Sequence, residues 1–294
     1  MKDKNQNKTK KSGGRRRTVR IVLISVLCAV FIFSGVKILA QLNEYRVGTG
    51  FYSGLQSYIS VPDGGAINEN TVSGTPVETE PDWESLTNEE KHERAKVFYS
   101  LPEVDFDALR AINPDVVAWL YAPALDISYP LVQSTGSNDY YLYRLYDRTR
   151  NKAGSLFLDK TNSPDFTDKN TIVYGHNMKN KAMFGRLKEY RDQAFLDANP
   201  AMFIIAPSGI FRLDLITASL FDDTLLPTVF EVSGDFDAFL AEILAKAVTS
   251  RDVAFGEDDR LVSLSTCEYD FREARLVLTG KLTELWSAAP QAQE

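Results

Sequence analysis

Cysteine is almost missing from this chain: two residues in 294, one of which, Cys28, lies in an apolar N-terminal run. Cys267 therefore has nothing to pair with inside the folded part, and a disulfide framework is excluded. Histidine is as scarce, with His92 and His176 alone. There is no Walker-type loop, no G-x-G-x-x-G and no internal repeat, so the common nucleotide-binding signatures are absent. No cluster of acids at metal-ligand spacing stands out either, and no metal or other cofactor is expected. Basic charge is confined to one end. The chain has 33 basic and 40 acidic residues; residues 1–20 take nine of the basic and one of the acidic, and Lys37 takes one more basic. Residues 41–294 then hold 23 basic and 39 acidic residues, a net charge of −16. A surface that acidic, without a basic stripe, excludes nucleic acid and anionic lipid headgroups as its partners.

What is present begins with "IVLISVLCAVFIFSG", residues 21–35, which carries no charge. Residues 21–40 read as a single membrane span: the uncharged part is a little short for a hydrocarbon core of about 30 Å, but Lys37 can snorkel outward. The basic residues 1–20 would form a cytoplasmic tail, leaving the C-terminal part outside the cell. The competing reading is a cleaved signal peptide; Ile38 stands where a small residue is wanted, and the run is long for one. Residues 41–60 are mildly amphipathic, and 61–81 have linker composition, rich in Pro, Gly, Ser, Thr, Asn and acids. The expected organisation is thus a tail (1–20), an anchor (21–40), a partly disordered extracytoplasmic linker (41–85), a folded domain (86–285) and a tail (286–294).

Two short helices are expected at 86–98, with His92 on its solvated side, and at 105–113. After them, eight short runs rich in Val, Ile, Leu, Phe and Tyr are separated by Pro, Gly, Asn or Asp: "VVAWLYAP", "ISYPLVQ", "GSLFLD", "NTIVYGHN", "AMFIIAP", "GIFRLDLITASLF", "RLVSLSTC" and "ARLVLTGKL". They predict a mainly β domain, a closed barrel or a sandwich. One helix interrupts them at 235–250, with Phe236, Phe239, Leu240, Ile243, Leu244 and Ala247 at spacings of three and four and Ser233 as N-cap.

The chemistry gathers at strand ends. In "LVSLSTC", alternation puts Ser263, Ser265 and Cys267 on one face. Seven residues, "EYDFREA", lead to the next strand at Arg275, so an antiparallel hairpin would set Cys267 beside Arg275. His176 ends another strand. A thiol beside an imidazolium and a guanidinium is favoured as thiolate. The imidazolium can protonate a leaving amine, and arginine can hold an oxyanion. The competing readings are a packing cysteine, a turn histidine and an edge-strand arginine.

The combination of "YGHN", "LSTC" with its aromatic-acidic loop, and "RLVLTGKL" resembles the sortase family, the cysteine transpeptidases of Gram-positive bacterial envelopes. Residues 113–147 with "AGSLFLD", and the helix at 235–250, are similar to class B members in particular. The resemblance covers about residues 90–285. It implies a closed eight-stranded β-barrel with added helices. It implies Cys267 as nucleophile, His176 as general acid/base and Arg275 as the group that steadies the oxyanion or substrate. It also implies an oxyanion-hole amide at Glu268 and substrate contacts at Asn138, Leu142 and Ser265. The expected substrates are secreted proteins with a C-terminal sorting motif, cleaved after threonine through a thioacyl intermediate, and the expected acceptor is an amine of a peptidoglycan precursor. Two rivals are a Cys–His endopeptidase or amidase that resolves the thioester with water, and a non-catalytic, membrane-tethered binding domain.

Overall fold

Short runs of β-branched and aromatic residues bounded by turn formers fit a pleated, half-buried surface, and all eight such runs become strands. A computed structural model describes residues 9–60, 80–221, 226, 233–256, 258–267 and 275–288, with the side chains of 9–16, 233, 234 and 267 outside that description. Contacts divide the chain into two units, Met1–Val47 and Gly48–Glu294.

The first unit is part of helix α1, Thr9–Leu55. Leucine, isoleucine, valine and alanine carry it and no proline interrupts it. Among the described residues α1 holds the one helical stretch long and apolar enough to cross a membrane, and none of its most apolar window is buried. Phe31 is 81% exposed and Leu39 67%. A signal sequence near the N-terminus can also be long and apolar enough to fit that description.

In the second unit, β1 (Ile59–Ser60) pairs antiparallel with β2 (Glu103–Val104). Helix α2 (Asn88–Phe98) starts at a capping box: Glu90 N–H donates to Thr87 Oγ1 at 3.3 Å, and Thr87 N–H donates to Glu90 Oε2 at 2.9 Å. His92, on this helix, is half-buried rather than solvated, with its ring centroid 4.2 Å from that of Trp286. Asp105 caps α3 (Phe106–Ile112) by accepting from Ala108 N–H at 2.9 Å.

The barrel strands are β3 (Val116–Ala122), β4 (Ile127–Val132), β5 (Leu156–Leu158) and β6 (Asn170–Tyr174), then, after α4 (Gln193–Ala198), β7 (Ala201–Ala206) and β8 (Gly209–Phe221), and, after α5 (Ser233–Ala245) and β9 (Ala247–Ser250), β10 (Arg260–Cys267) and β11 (Arg275–Ser287). The order is β11-β10-β6-β5-β4-β3-β7-β8, and β8 pairs back onto β11. Eight strands therefore close on themselves, as the resemblance implies, and closure leaves no free edge among them. β4–β5 and β6–β10 are parallel; the other pairs are antiparallel. Trp119, Leu131, Ile172, Met202, Leu213 and Leu278 are fully buried.

Helix α5 covers part of the barrel. Phe236, Phe239 and Ile243, at spacings of three and four, pack with Ile216 of β8, Leu261 of β10 and Val277 of β11. Each such side chain contributes roughly 1.5–3 kcal/mol by leaving water. The three-and-four spacing continues this helix to residue 250, but it ends at Ala245, and Ala247–Ser250 forms β9 on β8. Side-chain hydrogen bonds decide the change. Thr217 Oγ1 donates to Thr249 O at 2.8 Å, and Thr249 Oγ1 donates to Tyr190 O at 2.7 Å. The β-branched Val248 and Thr249 also suit a strand. Ala247 therefore belongs to β9, and Leu244 is 43% exposed. The expected Ser233 cap lies on a side chain outside the described residues.

Candidate active site

Two pairings bring three distant segments to one rim. β10 and β11 are antiparallel, with Ser265 opposite Val277 and Cys267 opposite Arg275. β6 runs parallel to β10, with Tyr174 opposite Ser265. The pairing goes one residue further, since Gly175 N–H donates to Ser265 O at 3.2 Å. His176 is the next residue, so it leaves β6 at the level where β10 ends. Gly175 is needed there: a Cβ would press on the side chains of Leu156 and Phe184.

The imidazole of His176 is fixed by main chain. Its Nε2–H donates to Leu142 O at 2.6 Å. A carbonyl can only accept, so the proton sits on Nε2 and Nδ1 is the nitrogen left to exchange one. Burial lowers the His176 pKa below the ordinary value, with the Leu142 carbonyl opposing, so the ring is neutral at neutral pH. The Leu142 carbonyl is itself hemmed in by Gly154, which has φ +61°. A Cβ at Gly154 would collide with Leu142 O and lie 2.9 Å from Tyr141 O. Tyr143, 47% exposed, sets its ring 5.4 Å from the His176 ring.

A cavity of about 180 Å³ opens here, walled by Asn138, Leu142, Tyr174, His176, Ser265 and Arg275, with Phe157 and Leu226 as apolar lining. Ser265 is 2% exposed. Asn138 is held at both ends of its amide: Nδ2 donates to Asp159 Oδ2 at 2.8 Å, and Oδ1 accepts from Lys160 N–H at 2.7 Å. The Tyr174 hydroxyl donates to the same Asp159 oxygen at 3.1 Å. Burial raises the Tyr174 pKa, Asp159 adds to that, and the charge of Arg275 works the other way. The phenol stays protonated at neutral pH.

Of the residues singled out from sequence, Asn138, Leu142, His176, Ser265 and Arg275 thus surround one cavity. Cys267 enters through its backbone, as the last residue of β10, and Glu268 lies outside the described residues. His92 packs on Trp286, near the opposite end of β11 from Arg275. Tyr174, Asp159 and the Leu142 carbonyl carry much of the geometry and were not anticipated. A strand-terminal Asp after "SLFL" was the one visible signal for Asp159. Among the described residues no group of three or more His, Cys, Asp or Glu is placed to hold a metal ion. A buried imidazole and a guanidinium around an apolar cavity with polar anchors, at the level where the backbone of β10 ends in a cysteine, form a site of the kind that binds an extended peptide for acyl transfer.

No protein-family model matches the chain. Sortase B of Listeria monocytogenes serovar 1/2a is 37% identical over 180 residues, which is 59% of this chain and 72% of that protein. The X-ray structure of Clostridium perfringens sortase B is similar with a TM-score of 0.57 and 29% identity, covering 61% of this chain and 100% of that one. A Staphylococcus aureus sortase B–substrate complex is similar with a TM-score of 0.57 and 31% identity, covering 61% of this chain and 84% of that one.

Proposed function

Because this chain belongs to the sortase B family and is a cysteine transpeptidase, we propose that it cleaves a C-terminal sorting motif of secreted proteins after threonine and transfers the shortened protein to a cell-wall amine. In this reading the Cys267 thiol gives its proton to His176 Nδ1 as sulfur attacks the threonine carbonyl carbon. The carbonyl electron pair moves to oxygen, and Arg275 and the Glu268 amide hold the resulting oxyanion. The intermediate collapses, the C–N bond breaks, and the His176 proton passes to the departing amine. A thioester to Cys267 remains. The acceptor amine, from a peptidoglycan precursor, attacks it; the new C–N bond forms, and the thiol leaves with its proton restored. Asn138, Leu142 and Ser265 contact the motif.

The reading rests on one observation: Cys267 stands opposite Arg275 in the β10–β11 register while parallel β6 brings His176 to the same rim. Removing one oxyanion donor typically costs about 3–4 kcal/mol of transition-state stabilisation, so the Arg275 position carries weight. We further propose that α1 spans the membrane once, with residues 1–20 in the cytoplasm and the domain outside. The nine basic residues before the apolar run and the unburied apolar window support this.

The test is product analysis of full-length protein in detergent with threonine-containing sorting peptides, with and without an added peptide amine. An amine-capped product that forms with wild type and not with Cys267→Ala is expected. Turnover by Cys267→Ala at the wild-type rate overturns the mechanism, and water-only products with every amine overturn the acceptor assignment.

A further inference from the structure

Asp159 follows β5 and is 7% exposed, yet none of the roles above belongs to it. Its backbone is fixed on both sides: its N–H donates to Ile172 O at 2.9 Å, and its carbonyl accepts from Gln133 Nε2 at 2.9 Å. Four donors converge on its carboxylate. Thr161 N–H at 2.9 Å and Thr161 Oγ1 at 2.7 Å meet Oδ1; Asn138 Nδ2 at 2.8 Å and Tyr174 Oη at 3.1 Å meet Oδ2. A proton on either oxygen would evict a donor, so the site wants an acceptor-only group. Burial works to raise the Asp159 pKa, but the hydrogen bonds from Thr161, Tyr174 and Asn138 outweigh it and hold the carboxyl below its ordinary range.

The two oxygens serve different ends. Oδ1 closes a local turn at Thr161. Oδ2 reaches 21 residues back to Asn138 and 15 forward to Tyr174, and both of these wall the cavity. With Nδ2 on Asp159 and Oδ1 on Lys160 N–H, the Asn138 amide has a single orientation. With its proton committed to Asp159, the Tyr174 hydroxyl can offer only lone pairs to a neighbour in the cavity.

We propose that Asp159 is a positioning residue that sets the hydrogen-bonding polarity of this wall. It presents Tyr174 as an acceptor and locks Asn138 in one orientation, and so favours a bound peptide that places an N–H donor against Tyr174. The inference rests on the sorting-peptide reading given above. It differs from a packing role in what Asp159→Asn does. An amide has one acceptor oxygen, and if that oxygen keeps Thr161 its NH₂ faces Asn138 and Tyr174. The amide then donates to Tyr174 Oη, frees the phenolic proton toward the peptide and repels Asn138 Nδ2.

The experiment uses full-length protein and three variants, Asp159→Asn, Tyr174→Phe and the pair together. It measures KM and kcat for a sorting peptide with added amine, the alkylation rate of Cys267 by iodoacetamide, and the thermal midpoint. Asp159→Asn should raise KM about tenfold, the scale of one mispaired buried group. Its kcat and its alkylation rate should stay within about threefold of wild type. Tyr174→Phe should raise KM less, and the double variant should be no worse than Asp159→Asn, because both act on one contact. Unchanged KM in Asp159→Asn overturns the proposal. So does a joint fall of kcat, alkylation rate and thermal midpoint with no selective rise in KM. If wild type itself converts no sorting peptide, the functional reading fails and this inference goes with it; normal wild-type turnover beside an unaffected Asp159→Asn removes this inference alone.

Discussion

His176 Nε2–H points at the carbonyl oxygen of Leu142, 2.6 Å away and 34 residues earlier in the chain. One main-chain acceptor thereby selects the tautomer, leaves Nδ1 as the nitrogen able to exchange a proton and fixes the ring plane. A residue that donates like Nε2–H but cannot take up a proton separates these jobs. His176→Gln should keep the domain folded, with a thermal midpoint near wild type, while kcat drops roughly 100- to 10,000-fold, the usual worth of a positioned acid–base group. Stopped assays with saturating peptide check this, and near-normal kcat would show that no proton passes through His176.

The lowered His176 pKa also gives a stability signature. Burial disfavours the imidazolium in the folded state, so between the folded value and the unfolded value of about 6.5 the unfolded chain binds more protons. The stabilisation is present above pH ~6.5 and is lost as pH falls through the folded pKa. Urea unfolding from pH 7.5 to pH 5 should therefore show wild type losing more stability than His176→Gln. Parallel loss in the two proteins would count against a buried, neutral ring.

Gly154 supports the same carbonyl from behind. Its φ of +61° is a left-handed conformation, and a side chain would strike Leu142 O. Gly154→Ala should lower stability by more than about 1 kcal/mol, through backbone strain and the clash together. It should also lower kcat, because displacing Leu142 O frees the His176 ring. Denaturant midpoints and kcat measured on the same preparations test the two effects.

Arg275 faces Cys267 across the antiparallel ladder. Lysine keeps the charge but lacks the planar fork of donors. Arg275→Lys should cut kcat roughly 100- to 1,000-fold, the cost of losing an aligned oxyanion donor, and disturb KM much less. A variant with normal kcat and raised KM would move Arg275 from the oxyanion to peptide binding.

How much of this was legible in the sequence follows from what each feature needs. The eight barrel strands announce themselves, because β-branched and aromatic runs between turn formers need no partner to be visible. The hairpin that sets Cys267 opposite Arg275 is short-range and could be reasoned out from "LSTCEYDFREAR". The parallel pairing of β6 with β10, 90 residues apart at Gly175 and Ser265, has no local signature. β9 was absorbed into the preceding helix because Ala247 continues its three-and-four spacing; only the Thr217 and Thr249 hydrogen bonds reveal the break. The Leu142 carbonyl was invisible for a more basic reason: every residue owns one, and only the fold decides which meets a histidine. Asn138 was singled out by resemblance alone, and the reason for its fixed orientation, Asp159, needed coordinates.

The start of the second unit braces Gly154 from another side. Tyr52, near the end of α1, is 4% exposed, and its hydroxyl donates to Gly154 O at 2.6 Å with Ser155 Oγ 2.9 Å away. Its ring meets that of Tyr129 edge-on, centroids 5.2 Å apart. Burial pushes the Tyr52 pKa well up, so the hydroxyl remains a donor throughout the neutral and mildly alkaline range. Tyr52→Phe keeps the ring and removes only the donor, leaving the Gly154 carbonyl buried without it. That should cost about 1–3 kcal/mol. Gly154 abuts the carbonyl that holds His176, so part of the loss should appear as lower kcat with unchanged KM. Tyr52→Ala should lose stability by several kcal/mol more, since the ring–ring contact and its buried area go as well. Equilibrium unfolding of both variants in the full-length chain, with kcat measured alongside, separates the contributions. A Tyr52→Phe protein as stable and as active as wild type would mean that α1 ends against the domain without supporting it.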